Sequence, residues 1–168
     1  MILTVTINPL LEYRLAYKNT VCGASNRNPV EKYSAGGKGI NVSRQLKKLG
    51  VDSLAFTFLG GNNGKKIADC LRNESIQFTS VRTTSESRLC PVIIDLNGKK
   101  ATYFFGNNSQ ISDKEVDEFK LKMGKMIQNC EYVIFAGSSP CESCDSIFPF
   151  GIEVANKYDK ISVLDTYG

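Results

Sequence analysis

The stretch Ala35-Gly36-Gly37-Lys38-Gly39-Ile40-Asn41-Val42-Ser43-Arg44 constrains this chain more than any other. Glycines let a backbone turn sharply and pass close to a ligand or a neighbouring strand. A helical apolar pattern starts at once, through Ile40, Val42, Leu46 and Leu49, and Gly50 closes it. A helix N-terminus presents free N–H groups and a partial positive charge. Lys38 adds a full positive charge at the same place. The turn therefore suits an anion or a hydroxyl-rich, phosphorylated ligand. As a bare pattern it describes equally well a tight strand-to-helix turn with a solvated lysine.

The flanking segments set the fold class. Ile2 to Ile7 reads as a strand, ended by Asn8-Pro9 because proline cannot donate to a ladder. Leu11, Tyr13, Leu15 and Tyr17 alternate with Glu12, Arg14, Ala16 and Lys18, a half-exposed strand suited to a small accessory sheet. A polar loop with Gly23 and Asn26-Arg27-Asn28-Pro29 leads to the glycine turn and a helix over about 39–49. Ser53 to Leu59 is a second strand. Gly60-Gly61-Asn62-Asn63-Gly64-Lys65-Lys66 is tempting as a phosphate loop. It fails because the last glycine comes one residue early and no Ser or Thr follows the first lysine. It reads as a loop entering a short helix through Ile67, Ala68 and Leu71.

Ile76 to Val81 is a short strand. Arg88 to Leu96 and Lys99 to Phe105 form a hairpin across Asn97-Gly98, a two-residue turn signal, and Pro91 places the first strand at an edge or a bulge. Ser112-x-x-Glu115 is a capping box opening a helix with the stripe Val116, Phe119, Met123, Met126 and Ile127. Tyr132 to Ala136 is a nearly continuous apolar run, as in a buried parallel strand. Gly137-Ser138-Ser139-Pro140, a helix over about 145–158 and a strand from Ile161 to Asp165 complete the chain. The alternation predicts an α/β fold with a mainly parallel sheet. A small discontinuous β lid, from about 10–34 and 86–106, is inserted in that core. Ligands in open α/β sheets sit beyond the carboxyl ends of the strands. Residues 8–12, 36–41, 137–139 and 165–168 arrive there.

Composition removes several function classes. The 168 residues contain no histidine, which excludes Ser-His-Asp and Cys-His catalysis. Six cysteines lack a regular framework, and no signal peptide supports disulfides. Cys141-Glu142-Ser143-Cys144 is a lone CxxC, with no second pair or histidine to complete a zinc site. Its redox role is left open. A net charge of +4 suits anionic ligands, and no Lys/Arg block of five or more argues for nucleic acid. No charged leader or apolar stretch near ~20 residues argues for a membrane, so a cytoplasmic location is expected.

The full string Ala-Gly-Gly-Lys-Gly-Ile-Asn-Val-Ser-Arg-Gln-Leu-Lys-Lys-Leu-Gly closely resembles the first signature of the phosphofructokinase B (ribokinase-like) carbohydrate kinases. The nearest branch acts on hexose phosphates, as in 1-phosphofructokinase and tagatose-6-phosphate kinase. Thr6-Ile7-Asn8-Pro9 is similar to the same branch. The resemblance runs along the whole chain but not along the whole family protein, so it implies a ribokinase-like fold truncated before the ATP-binding half. The implied parent reaction is ATP- and Mg²⁺-dependent phosphorylation of a ketohexose phosphate of the fructose 1-phosphate or tagatose 6-phosphate type. This chain would carry the sugar-phosphate-binding half.

The resemblance also implies roles. Glu12 matches an acidic position, usually aspartate, that binds sugar hydroxyls. Gly37, Lys38 and Asn41 match positions that hold the sugar and its phosphate. Arg88 matches an arginine that grips the substrate phosphate, here after Ser87 where relatives often carry threonine. Ser138 matches a serine touching the same phosphate. Arg27 matches a basic position that reaches the neighbouring subunit's site when lid sheets pair into a homodimer. Relatives usually read Gly-Ser-Leu-Pro followed soon by glycine, whereas here Gly137-Ser138-Ser139-Pro140 runs into the CxxC. The second signature, a Gly-x-Gly-Asp helix start supplying the anion hole and the general-base aspartate, has no match. The catalytic residues would therefore lie beyond the chain end. No ATP or Mg²⁺ site is visible, and the 168 residues alone are expected to be inactive. Two other readings stand beside this one. One is a kinase for an unphosphorylated sugar or nucleoside, and the other a truncated, non-catalytic sugar-phosphate-binding protein.

Overall fold

A computed structural model describes residues 1–166 of the chain. The strands are β1 (Ile2–Thr6), β2 (Leu10–Tyr17), β3 (Val30–Gly36), β4 (Ser53–Gly60), β5 (Phe78–Thr83), β6 (Arg88–Asp95), β7 (Lys100–Tyr103), β8 (Tyr132–Ala136) and β9 (Ile161–Asp165). The helices are α1 (Lys38–Lys48), α2 (Gly61–Asn73), α3 (Asp113–Gln128) and α4 (Ile147–Lys157). A 3-10 turn, Glu142–Cys144, precedes α4, which starts two residues after the start read from the sequence at about 145.

Five strands make a parallel sheet in the order β5-β4-β1-β8-β9. β1 is central, and Leu3, Thr4 and Val5 are fully buried, so both of its faces are covered. One face packs on α3 and α4. There Phe119 stacks on Phe56 with ring centroids 4.0 Å apart and meets Phe58 at 4.2 Å. Burying an aromatic side chain of this kind contributes about 1.5–3 kcal/mol. The other face packs on α1 and α2 through Ile40, Ala55, Ile67 and Leu71. Thr4, a polar residue in this interior, is satisfied by a 2.6 Å hydrogen bond between its hydroxyl and that of Ser43 on α1. The expected α/β core with a mainly parallel, helix-flanked sheet is present. Among the described residues no helix is long and apolar enough to cross a membrane.

The second sheet has the order β3-β2-β6-β7, with β2 and β6 parallel and both outer pairs antiparallel. Three details differ from the sequence reading. The strand β3 was not anticipated. Most of its residues are exposed, and only Ala35 and Gly36 at its end are buried, so it lacks an apolar alternation; backbone pairing to β2 and a Tyr13–Tyr33 ring stack at 4.8 Å hold it. Pro91 lies in β6, an internal strand between β2 and β7. Phe104 N–H donates to Pro91 O at 2.9 Å, but Pro91 has no N–H to return the bond, and β7 ends at Tyr103 opposite Val92. The β6–β7 connection spans four residues, 96–99, rather than two, because Asp95 pairs with Lys100. The Asp95 carboxylate accepts from Gly98 N at 2.8 Å and from Thr20 N and Oγ1 at 3.0 Å. Those bonds hold its pKa below the ordinary carboxylate value.

The glycine-rich run after β4 is also corrected, since it is the first turns of α2 and not a loop. A Cβ on Gly64 would come within 2.9 Å of the Leu59 backbone carbon. Glycine is needed there for close helix-on-strand packing. The free helix N–H of Asn63 is taken by the Glu86 carboxylate.

Candidate functional site

β1 runs through Ile7-Asn8-Pro9 directly into β2, and the N-terminus of α1 lies against this junction. Gly37 caps α1 at φ 134°, and a Cβ there would stand 2.7 Å from Thr6 Cγ2. A Cβ on Gly39 would meet Thr6 Oγ1 at 2.4 Å and Val5 O at 2.8 Å. The glycines thus let the helix N-terminus approach the end of the central strand. Lys38 Nζ lies 3.1 Å from Asp165 Oδ1, at the end of β9. Both side chains are largely exposed, so the pair contributes little to stability. Gly137, just after β8, donates its N–H to Asp165 O at 3.0 Å. Its open side faces Lys38, where an added Cβ would lie 4.0 Å from Lys38 Cβ. Thr166 Oγ1 donates to Gly137 O at 2.9 Å, whereas Tyr167 and Gly168 lie outside the described residues.

A polar chain continues from this patch. Asn8, almost fully buried, donates from Nδ2 to Ser138 Oγ at 3.4 Å and to Asn108 Oδ1 at 3.2 Å. Arg88 Nη1 donates to the same Asn108 Oδ1 at 2.9 Å, and the guanidinium stands 5.2 Å from the centre of the Phe105 ring. Arg88, Asn108, Asn8 and Ser138 therefore form one connected set, next to Gly137 and Lys38. Asn8 Oδ1 is buried with no hydrogen-bond partner among the described residues. A buried carbonyl oxygen left unsatisfied carries a desolvation penalty of about 1–3 kcal/mol, which a ligand hydroxyl would relieve.

Glu12 lies nearby on β2, with Gly36 beside it. A Cβ on Gly36 would touch Glu12 Cγ at 3.2 Å. Its carboxylate is 3.1 Å from Arg14 Nε. Asn41 stands one turn beyond Lys38 on α1, but its Oδ1 accepts from Arg44 Nη1 at 2.6 Å. Arg44 is in turn anchored by Glu74 and by the Ala35 carbonyl, so the Asn41 side chain serves that cluster. Arg27 is not brought to the other residues. It is exposed in the β2–β3 connection, at the end of the hairpin opposite Leu10 and Gly36. At about 3.4 Å per residue that end is roughly 20 Å away.

Asn108 escaped the sequence reading. It belongs to no motif, and it gains a role only because the 106–111 segment passes over the start of β6. Among the described residues, no group of three or more His, Cys, Asp or Glu side chains could hold a metal ion.

A family model described as pfkB family carbohydrate kinase matches residues 12–168. The chain is 32% identical over 168 residues to a 1-phosphofructokinase of Bacillus subtilis, covering all of this chain and 54% of that protein. It is 29% identical over 168 residues to a tagatose-6-phosphate kinase of Staphylococcus epidermidis, again covering all of this chain and 54% of the relative. The chain spans about half the length of the curated relatives it matches. A crystal structure from Thermotoga maritima described as a possible 1-phosphofructokinase superposes with a TM-score of 0.90 at 29% identity, covering 98% of this chain and 53% of that one.

Proposed function

The chain belongs to the pfkB carbohydrate kinase family, and from that premise we propose that it carries the sugar-phosphate-binding half of a hexose-phosphate kinase. The parent reaction is ATP-dependent phosphorylation of a ketohexose phosphate of the fructose 1-phosphate or tagatose 6-phosphate type. The observation that carries this reading is the connected set Arg88–Asn108–Asn8–Ser138, placed beside Lys38 and the α1 N-terminus. Two cationic side chains and a helix N-terminus around one patch suit a phosphate dianion. A neutral sugar would gain little from them. Asn8 Oδ1 and the Glu12 carboxylate supply acceptors for sugar hydroxyls.

In this assignment Arg88 meets two phosphate oxygens with its planar fork. Lys38 and Ser138 take the phosphate from the other side. Gly37 keeps the backbone low enough for the ligand to approach, and Asn41 would have to leave Arg44 to reach the sugar. ATP supplies the transferred phosphoryl group, and no step is assigned to a metal ion held by the described residues.

The same reading makes the second sheet a lid that pairs with that of another copy. Both outer strands, β3 and β7, are open edges. Val30, Tyr33, Tyr103, Phe104 and Phe105 are large apolar side chains exposed on or beside them. Such edges and patches favour association. Pairing would carry Arg27, distant from its own site, towards the partner's.

Calorimetric titration of the complete protein with fructose 1-phosphate and with free fructose tests the assignment. Arg88→Ala should weaken phosphosugar binding by about 2–4 kcal/mol, the loss expected for a charge-assisted contact and its unpaired partner. Equal affinity of wild type and variant for the phosphosugar would sink it.

A further inference from the structure

We propose that Cys141 and Cys144 form a reversible dithiol–disulfide pair, with Cys141 as the attacking thiol and Cys144 as the resolving one, responsive to small-molecule disulfides. The two sulfurs are 3.8 Å apart. Cys141 is partly exposed and precedes the 3-10 turn in an extended conformation, whereas Cys144 is fully buried. Attack from outside can therefore reach only the first, and only the second is placed to displace what the first has captured.

The surroundings of Cys141 favour its thiolate. Ile111 N–H donates to Sγ at 3.4 Å, and Ser143 Oγ lies 3.2 Å from it. The Ser143 hydroxyl donates to Ile111 O at 2.7 Å while Cys141 is protonated and can turn to the sulfur once it ionises. Burial raises the Cys141 pKa, but the bonds from Ser143, Ile111 and Cys144 outweigh it and leave it below the ordinary thiol value. Burial first, then the neighbouring Cys141, push Cys144 up to about 12. Cys144 thus stays a thiol until its neighbour has reacted. Cys70, Cys90 and Cys130 are shifted upward by burial, away from reactivity.

The exchange balances without any other reagent. The Cys141 thiolate attacks one sulfur of R–S–S–R, the S–S bond breaks, and RS⁻ leaves with the bonding pair and takes up a proton. Cys144 then loses its proton to water, and its thiolate attacks Cys141 Sγ, expelling the second RS⁻, which takes up a proton from water. Two protein thiols are oxidised by two electrons, and one small disulfide is reduced to two thiols.

The pair adjoins the candidate site on both sides. Ser139 Oγ donates to Cys141 O at 2.9 Å, next to Ser138. Ile111 closes the segment that presents Asn108 to Arg88. Drawing Cys141 Sγ to Cys144 withdraws it from Ile111. This coupling rests on the proposed function, and the thiol chemistry does not.

The test incubates the intact protein with oxidised glutathione at neutral pH, quenches with acid and maps the peptides by mass spectrometry. The expected product is a Cys141–Cys144 disulfide reversed by dithiothreitol, with glutathione attached to exposed Cys22. Cys144→Ser should trap glutathione on Cys141. If that variant does not fold, the wild-type map decides alone. Both thiols remaining free while Cys22 is modified, or glutathione appearing first on Cys144, overturns the proposal. Hydrogen exchange at the Ile111 amide should rise about tenfold on oxidation, since its acceptor is lost. Unchanged exchange with the disulfide formed removes the coupling and leaves the redox pair.

Discussion

Two glycine-to-alanine substitutions should shift stability in opposite directions. Gly39 is in the first turn of α1 and Gly124 is inside α3. Neither has a positive φ, so alanine is conformationally acceptable at both and gains about 1 kcal/mol of helix propensity. At Gly124 the added Cβ meets Phe150 at 3.9 and 4.0 Å, ordinary contact, and the gain stands. At Gly39 the Cβ would meet Thr6 Oγ1 at 2.4 Å and Val5 O at 2.8 Å. The threonine hydroxyl can rotate away, but the Val5 carbonyl belongs to a strand paired on both sides. Restoring a contact near 3.5 Å requires α1 to move outward by roughly 0.7 Å. Overpacking of this kind costs about 1–3 kcal/mol, so the net effect of Gly39→Ala is a loss of up to about 2 kcal/mol after the propensity gain. Urea unfolding of both variants at unchanged m-value measures the difference. A Gly39→Ala variant as stable as Gly124→Ala would refute the close approach of α1 to β1. Thr6→Ala should rescue Gly39→Ala only in part, because the carbonyl remains.

Other outcomes can be checked in parallel. Asn108→Ala removes the acceptor shared by Asn8 and Arg88. It should lower phosphosugar affinity in calorimetry while costing at most about 1 kcal/mol in urea unfolding. At Glu115, burial raises the pKa, but hydrogen bonds from Ser112 and Thr84 prevail and lower it. A carboxylate depressed in the folded state contributes stability above its unfolded pKa, near 4.3, that is lost as pH falls through the folded value. Glu115→Gln should flatten that part of the acid unfolding curve, and an unchanged slope would count against the carboxylate's role. Light scattering at micromolar concentration should find the complete protein dimeric and Phe104→Lys shifted towards monomer, while a strictly monomeric wild type would exclude lid pairing.

What could be read in advance follows from which forces hold each element. β1, β8 and α3 are held by side chains. Leu3, Val5, Val133 and Phe135 are buried where a parallel strand must be, and Val116, Phe119, Met123 and Ile127 recur at helical spacing. Their apolar pattern is the fold, so it is visible in the sequence. β3 is held by its backbone ladder and by cross-strand contacts of Tyr13 with Tyr33 and Glu31, and Val30-Glu31-Lys32-Tyr33 carries no such apolar pattern. Gly64 shows a different limit. A glycine that admits a phosphate and one that admits a neighbouring strand look the same until Leu59 is placed against it. In the candidate site, Lys38 and Asp165 are 127 residues apart, and no local pattern joins them. Roles for Arg88 and Ser138 came only from family likeness, whereas Asn108 had no likeness to draw on. Its place depends on where the 106–111 segment crosses β6.

The parallel pairing of β2 with β6 joins residues 10–17 to residues 88–95. In a chain emerging from the ribosome, β2 and β3 are available as a hairpin long before β6 has been made. During that interval one side of β2 is an open ladder, and Leu10 lacks the Cys90 and Val92 side chains that cover it in the finished sheet. The parallel core can already begin, because β1, β4 and α1 lie within the first 60 residues. Closing the second sheet is then a high-contact-order event, paid for in loop entropy before it returns any packing. Translation speed between β3 and β6 therefore sets how long a half-built sheet is offered to chaperones or to other nascent chains.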